Sequence, residues 1–345
     1  MDKLRKRRGK YRSKTALCVI FVIALTIVAC TGNTPTSTEA NKTAAKDTVG
    51  VFVPPDTSTI PHDPFGDMVR YGRELVVNTA YYIGPEGTVG KYLGNKMNCA
   101  HCHVDAGTRP FAFNYFSAHA RYPQYRGREN KILTLSERVN NCIERPHSGT
   151  PMPLDCKEMV AIVSYIKWLG ANVPVNQHVK GDESLEIEYP NRAADPEKGA
   201  LVYAENCVSC HGKDGEGQWT PDSATYIYPP LWGKWAYQHG SSPSRVVKLA
   251  RFIKANMPDK KATWHKPFLT DEQALDVAAY INDDRIHPRP EKKNRKIPDY
   301  PNVATKAIDY DRGPYSDTFS ELQHKFGPYK PIVDYHKEHK LPIIW

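Results

Sequence analysis

CAHCH at residues 99–103 returns as CVSCH at residues 207–211. Two thiols at this spacing, one helical turn apart, can add to the two vinyl groups of a haem. The histidine that follows then lies under the iron and supplies its proximal nitrogen. Cys99, Cys102, Cys207 and Cys210 therefore read as attachment points for two covalent haems c, with His103 and His211 as proximal ligands. A four-cysteine zinc site from the same pairs would need an unusually long loop and would leave both histidines idle. A thioredoxin-like pair would need a βαβ pattern around it, and none is evident.

The repeat is wider than the motif. Upstream lie PFGDMVRYGRELVVNTA and DPEKGALVYAENC, each a predicted helix with Pro near the first turn and a Gly on one face, Gly72 and Gly199. Downstream lie PLDCKEMVAIVSYIKWLG and LTDEQALDVAAYIN, with apolar residues at helical spacing and a late aromatic, Tyr165 and Tyr280. A small residue set against a large aromatic lets two helices cross closely. Between these helices the chain is rich in Pro, Gly and aromatics, as suits a small helical domain wrapped around a flat cofactor. The pattern resembles the class I cytochrome c fold. It predicts a mainly α protein with two such domains in tandem, residues 61–180 and 181–284, followed by an extended C-terminal arm, 285–345. The arm has many Pro and Tyr and repeats GPY at Gly313 and Gly327; its aromatics argue against free disorder.

The formal charge of +9 belongs to the N-terminus. Residues 1–29 hold eight basic residues and one acid; without them 39 basic residues face 37 acidic ones, leaving +2. Nothing in that balance calls for a nucleic-acid partner. The basic start, the apolar run from Ala16 to Ala29 and the sequence IVAC ending at Cys30 resemble a bacterial lipoprotein signal, with Cys30 as the acylated first mature residue. Residues 30–60 begin as a small, polar tether. The expectation is a periplasm-facing protein held to a bacterial membrane by its lipid, where disulfides are allowed.

Each iron needs a sixth ligand. In the second domain Met257, followed by Pro258, lies 46 residues past His211 with a helix still to come, and is the expected ligand. In the first domain the stretch RVNNCIERPHSGTPMPLDC, residues 138–156, offers Cys142, His147 and Met152. If Cys142 joined Cys156 in a disulfide, Met152 would be left for the iron and the protein would be a plain electron carrier. If Cys142 binds the iron, an enzyme is implied. The residues alone leave this choice open.

The segment YPQYRGRENKILTLSERVNNCIERPHSGTPMPLDCKEMVAIVSYIKWL, with NKMNCAHCHVDAGTRPFAFNY before it and GKDGEGQ and PPLWG later, is similar to the diheme thiosulfate dehydrogenase (tetrathionate-forming) family. The resemblance implies Cys142 on the first iron and Met257 on the second. It also implies substrate-binding arginines at Arg138 and Arg128. The family pattern Cys-Phe-x-Arg-Ser-x-Asn-Gly is met at Arg145 and Gly149, but its Ser is Pro146 and its Asn is Ser148. A Lys found beside the Met in some members is Asn256.

The implied chemistry is coherent. Joining two thiosulfate anions removes two electrons, and two haems store one each. The anions repel one another, so fixed positive charge such as Arg138 and Arg128 is required. A thiolate ligand lowers an iron's potential and a Met raises it, so electrons would run from the first haem to the second and out to a cytochrome or quinol-linked complex. Cys142 also carries a sulfur able to bond to a substrate sulfur. The alternative is a non-catalytic diheme electron-transfer cytochrome. One outcome follows from the leader alone: Cys30→Ala should release the protein from membranes into the soluble periplasmic fraction, measured by fractionation after salt and carbonate washes, because acyl chains supply its only hold.

Overall fold

The structure, a computed structural model, describes residues 50–290 and 299–345; Cys30, the leader and most of the tether lie outside the described residues. No helix among the described residues is long and apolar enough to cross a membrane. The described residues form one compact unit.

Helix α1 (Pro64–Val77) starts where Asp63 accepts the Gly66 N–H at 2.8 Å and Pro64 fills the first turn. Both devices settle backbone donors that a helix start leaves unpaired. A short hairpin follows, β1 (Gln124–Arg126) antiparallel to β2 (Lys131–Leu133). It leads into α2 (Leu135–Glu144), which opens with a capping box between Thr134 and Glu137. Helix α3 (Lys157–Leu169) closes the first domain.

The second domain repeats the scheme. Helix α4 (Pro196–Asn206) has Asp195 as its cap and Pro196 in its first turn. A second hairpin pairs β3 (Gln218–Trp219) with β4 (Tyr226–Tyr228). Then come α5 (Val246–Asn256) and α6 (Asp271–Ile281), the latter with a Thr270–Gln273 capping box.

First and last helices cross at a glycine in both domains. A β-carbon on Gly72 would lie 2.0 Å from the Ala161 carbonyl oxygen and 2.9 Å from Tyr165 Cβ. One on Gly199 would lie 2.0 Å from the Asp276 carbonyl oxygen and 2.8 Å from Tyr280 Cβ. The near-identical distances show one crossing built twice.

The arm departs from expectation. Residues 299–320 contain only a turn of 3-10 helix, Val303–Thr305, but α7 (Glu321–Phe326) and α8 (Tyr329–Glu338) are regular helices. Ile308, Phe326, Tyr329 and Ile332 join Leu249, Leu275 and Ala278 in a single buried cluster. The arm is thus part of the second domain's core. Buried polar contacts pin it there. The Arg245 Nε donates to Asp309 at 2.9 Å, while within the arm Asp317 holds His324 at 3.0 Å and His336 at 2.9 Å. The same arm reaches the first domain, where Tyr300 donates its N–H to the Arg128 carbonyl at 2.9 Å.

Because backbone lines both crossings, Gly72→Ala and Gly199→Ala should each cost about 1–3 kcal/mol, through helices forced apart. The measurement is a fall in the denaturant midpoint of the purified protein.

Candidate active site

The first motif is docked onto the end of α1. The Cys99 N–H donates to Thr79 Oγ1 at 2.9 Å, and Asn98 Oδ1 accepts the Ala80 N–H at 2.8 Å. His103 Nδ1 is engaged by the Phe113 carbonyl oxygen, which leaves Nε2 as the free ligand atom. Tyr115 stacks against the same ring at 4.5 Å between centroids.

His103 lines a cavity with Cys99, Cys102, Tyr115, Arg138 and Cys142. Cys142 and Arg138 sit one turn apart on α2, so both project to the same side. The Cys142 thiol and His103 line the same cavity and interact electrostatically. Burial by itself would raise this thiol, but the Arg138 guanidinium, His103 and Arg145 outweigh it and bring the thiol down to about 6. Burial instead pushes Cys99 up to about 11 and Cys102 up to about 12. Among these cavity cysteines, only Cys142 is held in the range where a thiolate prevails at neutral pH.

The other candidates from residues 138–156 lie elsewhere. Met152 points into the first domain's core with Ile143, Met159 and Ile162. Its backbone is clamped at both ends by Asn140, which accepts the Met152 N–H and donates to its carbonyl, each at 2.9 Å. Cys156 caps α3, and Cys142 and Cys156 are both free thiols. His147 does line the cavity, but its Nδ1 meets Asn95 Oδ1 at 3.1 Å and its Nε2 faces the Cys99 sulfur at 3.9 Å. Burial pushes His147 down to about 3, so it is neutral.

The two arginines diverge. Arg138 makes no salt bridge among the described residues, and Cys142 is its strongest electrostatic partner. Arg128 does not line the cavity. Its guanidinium donates to the Gly240 carbonyl and lies over the rings of Tyr300 at 5.4 Å and Tyr310 at 5.3 Å. It anchors the arm. Arg145 is likewise committed, to Glu129 and, at 3.6 Å, to Asp299.

The second motif is arranged in parallel. His211 Nδ1 donates to the Pro229 carbonyl at 2.8 Å, and the cavity it lines also presents Cys207, Cys210, Leu249 and Met257. Burial lowers the His211 pKa, favouring the neutral, ligating form. Met97, Cys102 and Phe113 line both cavities, so the two are separated by single side chains. His101 crosses between domains to the Tyr226 carbonyl at 2.9 Å.

These residues fit haem c. Each cavity has a paired-cysteine edge, an imidazole whose far nitrogen is fixed by a carbonyl, and a sulfur side chain in the same lining. Fold and site together define a cytochrome c with covalently bound haem. Family comparison agrees: the cytochrome c model matches residues 196–283, and the SoxA/TsdA cytochrome c domain model matches residues 91–175. A thiosulfate dehydrogenase from Stutzerimonas stutzeri (strain A1501) is 35% identical over 240 residues, 70% of this chain and 73% of that protein. One from Thiomonas intermedia (strain K12) is 34% identical over 271 residues, 77% of this chain and 82% of that protein. The chain belongs to the thiosulfate dehydrogenase family and is an oxidoreductase of that type. The solved TsdBA thiosulfate dehydrogenase from Marichromatium purpuratum, as isolated, superposes with a TM-score of 0.61 at 33% identity. That match covers 67% of this chain and 49% of the other, so this chain spans about half of it.

Arg109, Phe111 and Phe113 carried no individual reading in the sequence, yet Phe113 lines both cavities. The stretch that holds them, NKMNCAHCHVDAGTRPFAFNY, entered only as part of the family resemblance. Free thiols at Cys142 and Cys156 carry a direct expectation. Alkylation of the denatured, unreduced protein followed by mass spectrometry should label both, with no peptide linking them.

Proposed function

We propose that this chain couples two thiosulfate anions into tetrathionate, or runs the same conversion in reverse. Two haems c, when bound, supply two one-electron stores, the first passing to the second and on to an external cytochrome or quinol-linked acceptor. The observation that carries the reading is Cys142, facing His103 across the first cavity with Arg138 beside it. His103 Nε2 and the Cys142 thiolate would hold the first iron; His211 and Met257 would hold the second.

The chain's own residues do the remainder. Among the described residues Arg138 has no salt bridge to give up, so its guanidinium can bind an anionic oxygen group bidentately. Its charge lowers the Cys142 thiol's pKa, while bound iron would itself keep that sulfur ionised, ligating and nucleophilic. Tyr115, Met97 and the haem-facing aliphatic side chains exclude water, which strengthens these charges. Formation of one S–S bond between two thiosulfates releases two electrons and no protons, so no acid–base residue is required. Arg128 supports the site indirectly, by fixing the arm against the hairpin that precedes α2. The relatives' activity and the lipoprotein-like leader together support a periplasm-facing, lipid-anchored enzyme.

Cys142→Met should keep full haem content, raise the potential of the first haem, and sharply reduce thiosulfate oxidation, because a neutral thioether replaces an anionic donor. Arg138→Ala should lower kcat/KM by about 10- to 100-fold, the worth of a lost charge-assisted contact, with the visible spectrum intact. Met152→Leu should leave the spectrum unchanged. Potentiometry and steady-state assays decide. A thioether spectrum lost in Met152→Leu would overturn the reading.

A further inference from the structure

The loop after the first motif carries Asp105, Ala106, Phe111 and Phe113 at φ values between 51° and 57°. Residues with a β-carbon enter this left-handed region only where their surroundings over-determine it. Here the surroundings come largely from the other domain. Arg109 Nε donates to Asp105 at 2.8 Å, while its Nη1 donates to Asp259 at 2.8 Å. Asn256 Nδ2 donates to the Phe111 carbonyl at 3.1 Å. The Phe113 ring stacks on Phe252, with centroids 5.0 Å apart and planes 10° from parallel.

These contacts land on Phe252, Asn256 and Asp259, and so bracket Met257. That residue sits just past the end of α5, where its N–H still bonds to the Ile253 carbonyl. Beyond a helix end nothing intrinsic to the chain fixes where a side chain points. Asn256 is 1% exposed, so its bond to Phe111 is a buried one and costly to lose. Arg109 is three-quarters shielded and forks between two carboxylates, a geometry suited to a planar guanidinium. The same loop also carries the Phe113 carbonyl that orients His103.

We propose that Arg109, acting through Asp259, is a positioning residue for Met257, so that the first domain sets the axial geometry of the second haem. This rests on the reading of Met257 as the sixth ligand. The relation has a direction. Loss of Arg109 frees the Met257 turn, while Phe113 stays packed on Phe252 and continues to orient His103.

The test uses the full-length ferric holoprotein. The readouts are the weak far-red absorption band of methionine-ligated haem and a titration with imidazole, which competes for the sixth position. In Arg109→Ala the band should fall by half or more, and imidazole should capture the second haem at about tenfold lower concentration. The spin-resonance signal of the thiolate-ligated first haem should persist. Asp259→Asn should reproduce this, the double variant should be no worse than either single one, and Arg109→Lys should recover most of the band. An unchanged band and imidazole affinity in both single variants would overturn the proposal, as would equal losses at both haems. A wild-type protein with no methionine band would remove the Met257 assignment itself, and the clamp with it.

Discussion

Two helices cannot approach more closely than their smallest facing residues allow, and here that limit is reached twice. At Gly72 and at Gly199 one helix backbone rests on the carbonyl of another, with Tyr165 or Tyr280 filling the space alongside. Each crossing fixes the first and last helices of a domain as a rigid pair. The intervening chain must then close over whatever lies between them. That chain is largely loop. The cavity and its cofactor must supply much of the remaining order.

On that frame the two domains diverge in electrostatics. The second site presents a neutral sulfur, Met257, among aliphatic residues. The first presents Cys142 beside the Arg138 guanidinium, which makes no salt bridge among the described residues. One scaffold thereby offers two donor environments, one anionic and one neutral, within a single side chain's thickness of each other.

The arm illustrates how an apparent appendage becomes structural. Its aromatic and aliphatic residues complete the second domain's core, and its Asp299, Tyr300 and Tyr310 reach the arginines of the first. Arg128 is spent on this contact. Of the two arginines, only Arg138 lines the first cavity.

Spacing alone determined the covalent chemistry. The paired CxxCH motifs, the glycine–tyrosine crossings and the position of Met257 were legible because each rests on local helical geometry. The choice among Cys142, His147 and Met152 was not, because all three lie within a few residues and any could be turned inward. Tertiary packing sorted them: Asn140 clamps Met152 into the core, Asn95 holds His147 toward Cys99, and α2 carries Cys142 to His103. The helices of the arm, the diversion of Arg128 and the strained loop at Arg109 were hidden for the same reason. Each is set by partners far away in the sequence, as with Arg109 and Asp259, 150 residues apart, and no local periodicity records a contact of that range.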